Sequence, residues 1–359
     1  MKTYKNLWND FISEENITIA IHNASLGNKN PKLKKRLKYM YEHLDVYIPK
    51  FQSMVENYRN AKHKPTTIYD GISRKQRTII VPTAYEQVVH HMIVNILKPI
   101  FMKSMYQHSY GSVPNRGAFS GKKQLEKWLP ANYVLKLDIR HYFESVSQEI
   151  LIQKLKLKIK DKKFLAILET IISVIDQGIP LGFYTSQWFA NFYLTDLDHY
   201  ISSELGFGHY MRYMDDMVIL SDDKFKLYKL KQDIGTYLNK ELALELKSNW
   251  QVFRFDYIID DILHKGRPLD FMGYQFYSDK TILRKSIMIK ATRKAKRIFK
   301  KCNINWYESA QILSYLGWFN PTNTYICFEV YIVPYMSVHH LRGKVSKHSK
   351  KLNNILYYI

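Results

Sequence analysis

The segment HYMRYMDDMVILSD, residues 209–222, places two adjacent acids, Asp215 and Asp216, between two apolar runs. The flanks 213–214 and 217–220 are typical of two short strands joined by a tight turn. Aspartate suits such a turn for backbone reasons alone, because its side chain bonds nearby backbone N–H groups and tolerates unusual φ angles. Taken alone, the segment favours an acidic surface hairpin, and a catalytic role depends on the rest of the chain.

The composition indicates a folded protein with a polyanionic partner. The 359 residues are 46% hydrophobic and 14% aromatic, which is enough for packed cores in two or three structural units. Lys and Arg outnumber Asp and Glu by 54 to 32, giving a formal net charge of +22. This excess favours a nucleic acid as the partner, with an anionic membrane surface as the alternative.

No segment predicts export or a membrane span. The N-terminal residues 1–18 lack an apolar core of signal-peptide length, and no stretch reaches about 18 uncharged apolar residues. We therefore expect a cytoplasmic protein without a membrane partner. Cys302 and Cys327 are too few for a disulfide framework and lack CxxC spacing, so we expect two buried thiols.

Apolar periodicity predicts the order of the secondary-structure elements. Residues 1–60 are predicted to be helical and residues 61–76 to be linker-like. The pattern then predicts, in order, a short strand at 77–82, a long amphipathic helix, a buried strand ending at Asp138, helices over 148–159 and 163–175, a helix after the turn at 177–182, the quoted hairpin, a helix over 226–246 and a strand pair over 269–283.

The end of the chain is strongly basic. Residues 284–359 contain 14 Lys and Arg against 2 acids, and so carry +12 of the net +22. The segment RKSIMIKATRKAKRIFKK, residues 284–301, predicts a helix with one cationic face and one packed stripe, formed by Ile287, Ile289, Ala291, Ala295 and Ile298. We expect a compact helical unit with a packed side and a phosphate-facing side.

Asp138 and the hairpin acids converge if their two strands are neighbours in one sheet. Three carboxylates at one place repel each other unless cations lie between them. Two magnesium ions about 3.5 to 4 Å apart would neutralise them and bind the attacking and leaving oxygens of a phosphoryl displacement. Oxygen-only ligands favour magnesium over zinc.

Five segments resemble, in order, the palm motifs of reverse transcriptases: LKLDIRHYF (135–143), GIPLGFYTSQWFANFYL (178–194), YMRYMDD (210–216), LALELKSNW (242–250) and FMGYQF (271–276). The resemblance runs from about Arg77 to Tyr277. It implies an α+β, right-hand polymerase fold with fingers, a palm of antiparallel sheet packed on helices, and a helical thumb. The implied boundaries are 1–60 for an N-terminal helical extension, 61–277 for fingers and palm, and 278–359 for the basic thumb.

The resemblance also implies the catalytic residues. The acid of the first strand and the first acid of the YxDD turn bind the metals in the family, so Asp138 and Asp215 are the implied ligands and Asp216 completes the triad. The implied cofactor is two Mg²⁺ ions, with Mn²⁺ as a substitute. Phe143, five residues after the first acid, is the implied steric gate whose ring would exclude a ribonucleotide hydroxyl at C2′.

Further binding residues are implied by their positions in the motifs. Arg77 matches the fingers arginine that lies along the incoming triphosphate, where its planar fork would align phosphates. The other implied contacts to the nucleotide are Leu181, Gly182 and Gln187. The implied contacts to nucleic acid are Tyr213, Met214, Gly273, Tyr274, Arg293, Lys294 and Arg297.

Two positions depart from the family pattern. Leu181 stands where retroviral enzymes commonly have a Gln that contacts the incoming nucleotide. Trp250 stands where the family motif LxLNxxKT has a lysine that can protonate the leaving pyrophosphate. Lys247 lies three residues earlier, and because side chains alternate in direction along a strand, we do not expect it to take that place.

The subgroup that the chain resembles most is the reverse transcriptases of diversity-generating retroelements. Ser186-Gln187 stands where group II intron enzymes have SP, and segments 281–298 and 313–325 resemble the thumb of this subgroup. No maturase, DNA-binding or endonuclease region follows, which disfavours an autonomous group II intron protein. The resemblance implies a bacterial or phage-encoded enzyme of the group II intron-like lineage that copies a template-repeat RNA into cDNA with errors at template adenines.

The implied partners are the template RNA, the cDNA primer-template duplex, dNTPs and a pentameric accessory variability determinant protein. One alternative is a retron or phage-defence reverse transcriptase with the same three acids. The other is a catalytically inactive RNA-binding scaffold, which the presence of all three acids and Arg77 disfavours.

Overall fold

Helices alternate with short antiparallel strands along the chain. The computed structural model describes residues 2–27, 30–70, 75–261, 263–301 and 303–357. Two compact units divide the chain: Met1–Val113, Leu135–Ile219 and Phe225–Gln251 form the first, and Pro114–Val134, Leu220–Lys224 and Val252–Ile359 form the second. The mixture of helices with antiparallel pairs confirms the predicted α+β class.

The N-terminal region is helical, as predicted. Its four helices are α1 (Leu7–Phe11), α2 (Glu14–Gly27), α3 (Pro31–Glu42) and α4 (Leu44–Glu56). The linker-like interpretation of residues 61–76 is wrong in part, because β1 (Thr66–Asp70) pairs antiparallel with β2 (Lys75–Ile79). The β-branched and aromatic residues of TTIYD suit a strand, and β1 pairs with β2 over the whole of its length.

The rest of the first unit is built around helix α5 (Ala84–Met102), which begins with a capping box between Thr83 and Glu86. This helix packs against α2 and against α10 (Tyr184–Tyr193), where the rings of Phe101 and Phe192 stack 4.3 Å apart. Along the chain between α5 and α10 lie α6 (Ala118–Trp128), β3 (Tyr133–Asp138), α7 (Tyr142–Ser145), α8 (Gln148–Lys158) and α9 (Lys162–Ile172). Of these, α6 and the first two residues of β3 belong to the second unit.

A four-stranded sheet carries the predicted hairpin. After α10 the chain forms α11 (Thr195–His199), a π-helical turn (Tyr200–Glu204), β4 (Tyr210–Tyr213), β5 (Asp216–Ser221), α12 (Lys224–Leu242) and β6 (Gln251–Arg254). The strand order is β4-β5-β3-β6, so β5 lies beside β3. The acids that end β3 and begin β5 therefore belong to neighbouring strands.

The C-terminal part contains two small sheets followed by helices. The predicted strand pair over 269–283 is a three-stranded sheet with β10 in the centre, and the hairpin β7–β8 was not predicted, since its strands are only three residues long. The elements are β7 (Tyr257–Ile259), β8 (Leu263–Lys265), β9 (Leu269–Phe271), β10 (Tyr274–Phe276), β11 (Thr281–Leu283), α13 (Lys285–Phe299), α14 (Trp306–Phe319), α15 (Tyr325–Tyr331), a 3₁₀ turn (Val333–Tyr335) and α16 (Val338–Tyr357).

Two remaining expectations concern thiols and membranes. Cys327 is half-buried rather than buried, and Cys302 lies outside the described residues. Among the helices in the described ranges, none is both long enough and apolar enough to cross a lipid bilayer.

Candidate active site

Three carboxylates lie at one end of the neighbouring strands β3 and β5. Tyr213 pairs with Asp216 across the hairpin, so Met214 and Asp215 form the turn between them. Asp138 is the last residue of β3, and its charge acts on Asp215. The structure thus brings Asp138, Asp215 and Asp216 together, as the sequence predicted.

The electrostatics of this group favour a bound cation. Burial first, and then the charges of Asp138 and Asp216, raise the pKa of Asp215 from an ordinary 3.8 to about 6. Within the described residues, the buried Oδ1 of Asp138 has no hydrogen-bond partner. A carboxylate oxygen can only accept, so these oxygens suit the oxygen-liganded divalent ions that phosphoryl-transfer sites use.

The side chain of Lys247 lies at this site, beside Asp138. Its Nζ forms an ion pair with Oδ2 of Asp138, and its backbone N–H donates to the Asp138 carbonyl at 2.8 Å. The alternation argument failed because residues 247–250 do not form a strand. Trp250, at the position of the family lysine, instead packs its ring 4.7 Å from Nζ of Lys231.

The glycine turn before α10 joins the predicted gate to the segment after β2. The carbonyl of Phe143 accepts a hydrogen bond from the Ile179 N–H at 2.8 Å, and the carbonyl of Leu181 accepts one from the Ile80 N–H at 2.8 Å. Gly182 has a φ of +107°, and a Cβ there would lie 2.2 Å from the Ile80 carbonyl oxygen. Only glycine permits this approach, so backbone contacts bring together the turn, Phe143 and the segment after β2.

The side chains of this region differ in exposure. Phe143 and Leu181 are half-buried, whereas Arg77, on β2, and Gln187, on α10, are exposed. Asn191, one turn after Gln187, is buried, and its amide donates to the carbonyls of Gln187 and Gly111. Arg77 and Gln187 are therefore the solvent-exposed members of this group.

The residues that the sequence predicts to contact nucleic acid lie in different environments. Tyr213 and Met214 are half-buried in the hairpin. Tyr274 is buried, with its ring 5.3 Å from that of Trp318, so its predicted contact with nucleic acid is corrected to a core role. Gly273 has a φ of +88°, and a Cβ there would lie 3.0 Å from Trp318, so this glycine permits the same packing.

Helix α13 has the predicted stripe and cationic face. Ala291, Ala295 and Ile298 are buried, while Ile287 and Ile289 are half-buried. On the other face Arg293 and Arg297 are exposed and Lys294 is half-buried. Burial, and then the charge of Arg297, lower the pKa of Lys294. The cationic face that the sequence predicted is therefore present on this helix.

A second group of acids and histidine, which the sequence did not suggest, lies in the other unit. Nδ1 of His264 is 2.9 Å from Oδ2 of Asp256, and Nε2 is 3.7 Å from Oδ1 of Asp279. Nζ of Lys280 lies 3.3 Å from Nε2 of His264 and 3.2 Å from Oδ2 of Asp279. These contacts join the four side chains in one network.

Arg212 is a further residue that the sequence did not single out. Its side chain is fully buried beside the acidic turn and pairs with the equally buried Asp198. The only sequence signal is an arginine inside the otherwise uncharged strand YMRY of β4.

Several known proteins are similar in sequence to this chain. The model of the family described as reverse transcriptase (RNA-dependent DNA polymerase) matches residues 62–276. The chain is 27% identical over 207 residues to the retron Ec73 reverse transcriptase of Escherichia coli, covering 53% of this chain and 64% of that protein. It is 25% identical over 140 residues to the group II intron-encoded protein LtrA of Lactococcus lactis subsp. cremoris, covering 36% of this chain and 23% of LtrA.

Among solved structures, the chain is similar to telomerase from Candida tropicalis in complex with a TWJ fragment of telomeric RNA. The TM-score is 0.48 at 13% identity, with 82% of this chain and 58% of that chain covered. The chain spans less than two thirds of the length of the relatives and the structure named here.

Proposed function

The chain belongs to the reverse transcriptase family, and we propose that it is an RNA-directed DNA polymerase that copies a template RNA into cDNA from dNTPs. The observation that carries the proposal is the buried, unpartnered Oδ1 of Asp138 at the end of the strand beside Asp215 and Asp216. A structural carboxylate would have its oxygens satisfied by donors. One that is left unsatisfied among like charges is suited to holding a cation.

In this proposal Asp138, Asp215 and Asp216 hold two Mg²⁺ ions, for which Mn²⁺ can substitute. When bound, the ions supply the positive charge that stabilises the phosphoryl transition state. Lys247, which pairs with Oδ2 of Asp138, places a positive charge beside the three carboxylates. Phe143 borders the sugar of the incoming nucleotide, Arg77 aligns its phosphates, and the cationic face of α13 binds the primer-template duplex.

Primer extension on an RNA template tests the proposal. We expect Mg²⁺-dependent DNA synthesis by the parent, and its loss in Asp138→Asn and Asp215→Asn, because each removes a charged ligand. Asp10→Asn is a matched control, since Asp10 is exposed in α1. Substantial synthesis by both site variants would refute the assignment, and a parent that binds RNA without synthesis would indicate the inactive scaffold.

For the biological role we propose a diversity-generating retroelement enzyme, bacterial or phage-encoded and cytoplasmic, that acts with a pentameric accessory variability determinant. Ser186-Gln187 and the two thumb-like segments support it. cDNA made on one defined template should then carry errors concentrated at template adenines. The gene should also lie near two almost identical repeats that differ only at adenines.

A second candidate is a retron-type enzyme, which the 27% identity to the Ec73 enzyme favours. Such an enzyme would share the three acids but make a different cDNA, without the adenine-directed errors. An error spectrum that is even across the four template bases, with no neighbouring repeat pair, would favour this candidate.

A further inference from the structure

A fully buried ion pair lies directly behind the acidic turn. Nε and Nη2 of Arg212 donate to the two oxygens of Asp198 at 2.7 and 2.6 Å, and both side chains have no exposed surface. The hydroxyl of Tyr210 donates to the same carboxylate at 2.7 Å. Both carboxylate oxygens are thus satisfied, which leaves Nη1 of Arg212 for other acceptors.

Nη1 connects this ion pair to the turn. It donates to the carbonyl of Met214 at 2.9 Å and to Oδ1 of Asn191 at 3.1 Å. The Met214 carbonyl and the Asp215 N–H belong to one planar peptide unit. A hydrogen bond to that carbonyl therefore fixes the orientation of the peptide plane, and with it the backbone position of Asp215.

The turn needs such support because its backbone is unfavourable. Met214 has a φ of +57°, in the left-handed region that residues with a side chain rarely adopt. Gly111 packs so closely against it that a Cβ at Gly111 would lie 2.5 Å from the Met214 nitrogen. Asn191 ties Gly111 to this arrangement by donating to its carbonyl at 2.8 Å.

The backbone of Arg212 is also held, by hydrogen bonds to the segment that contains His108 and Tyr110. Its N–H donates to the His108 carbonyl at 3.0 Å, and its carbonyl accepts from the Tyr110 N–H at 2.8 Å. Hydrogen bonds therefore hold both the backbone of Arg212 and its guanidinium group in place. A rigid group of this kind can set the orientation of the turn.

We propose that Arg212 is a positioning residue for catalysis: its guanidinium, held by Asp198 and Asn191, fixes the Met214 carbonyl and so directs the Asp215 carboxylate towards Asp138. The inference rests on the proposed polymerase function. A buried ion pair adds little net stability over apolar residues of the same volume. Its geometric effect on the turn is therefore the better reason for its presence.

The test compares Arg212→Lys with Tyr210→Phe in single-nucleotide primer extension. Lysine keeps the charge beside Asp198 but lacks the fork that reaches both Asp198 and Met214. We expect kcat to fall about 10- to 100-fold and the Mg²⁺ concentration for half-maximal rate to rise, with the KM for dNTP changed less than about threefold. Tyr210→Phe removes a hydrogen bond to Asp198 but no contact with Met214, so its kcat should stay within about threefold of the parent.

Parental kcat and Mg²⁺ requirement in a folded Arg212→Lys variant would overturn the inference, as would equal losses in both variants. If Arg212→Lys does not fold, the double variant Arg212→Met with Asp198→Leu removes both charges, so no buried charge is left unpaired. The double variant should show the same loss of kcat, and parental kinetics there would overturn the inference.

Mn²⁺ binding can be measured from the EPR signal of the free ion without any polymerase activity. It therefore tests the positioning role of Arg212 independently of the proposed function. A parent without extension activity would refute the polymerase proposal alone. Weaker Mn²⁺ binding by Arg212→Lys than by the parent and Tyr210→Phe would still support positioning of Asp215. Equal binding by all three would overturn it.

Discussion

Replacing Asp215 by Asn should stabilise the metal-free protein while abolishing polymerisation. The pKa of Asp215 rises on folding from 3.8 to about 6, chiefly through burial and the charge of Asp138. The native state therefore holds this proton more tightly than the unfolded chain. The resulting stabilisation is complete below pH about 4 and is lost as the pH rises through about 6.

The size of the effect follows from the shift. Two pKa units correspond to about 3 kcal/mol of free energy of unfolding, which the parent loses at neutral pH and an uncharged Asn does not. Relative to the parent, Asp215→Asn should be more stable by about 1 kcal/mol near pH 4.5 and by about 3 kcal/mol near pH 7.5. The difference between the two pH values is the informative quantity, because other effects of the substitution are common to both.

Urea unfolding in EDTA at pH 4.5 and pH 7.5 measures the difference in free energy of unfolding between Asp215→Asn and the parent. Asp10→Asn, at an exposed site in α1, is the matched control. Adding Mg²⁺ should then stabilise the parent but not Asp215→Asn. A stability difference for Asp215→Asn that is equal at both pH values, or that falls as the pH rises, would refute the argument from buried charge.

Three further predictions concern the substrate contacts. Phe143→Val should admit ribonucleotides by opening space beside C2′, measured as the ratio of kcat/KM for dNTP and rNTP; unchanged discrimination would mean that Phe143 is not the gate. Changing Arg293, Lys294 and Arg297 to Gln should flatten the salt dependence of duplex binding by about 0.7 to 0.9 log units per lost phosphate contact. The same change at Lys32, Lys34 and Lys35 of α3 removes equal charge and is the control. Leu181→Gln should lower misincorporation about 2- to 13-fold, which is the effect of one neutral hydrogen bond. Equal error spectra for the variant and the parent on one template would mean that Leu181 is not the cause of the errors.

Local patterns were sufficient for the elements that carry the carboxylates. Alternating apolar residues before Asp138 and the apolar runs around Asp215 and Asp216 predicted strands and a turn, because side-chain direction in a strand has a period of two. The stripe and the cationic face of α13 followed in the same way from a period of 3.6. The order of the five motifs then led to the family.

Local sequence patterns did not predict the contacts between segments that are far apart in the chain. Lys247 reaches Asp138 because residues 245–247 pair with 138–140, and nothing within either segment indicates the other. Tyr274 matched a motif, yet its ring is buried against Trp318, since a motif does not report which face a sheet presents to its neighbours.

The support of the acidic turn depends most strongly on tertiary structure. Arg212 looks like an exposed charge in a strand until the fold places Asp198 and Asn191 beside it. Periodicity reports which face of an element is apolar, whereas the partner of a buried charge depends on which segment packs against that face. Such a pair is stable only when desolvation is offset by partners already in place, and here the assembled helices α10 and α11 provide them.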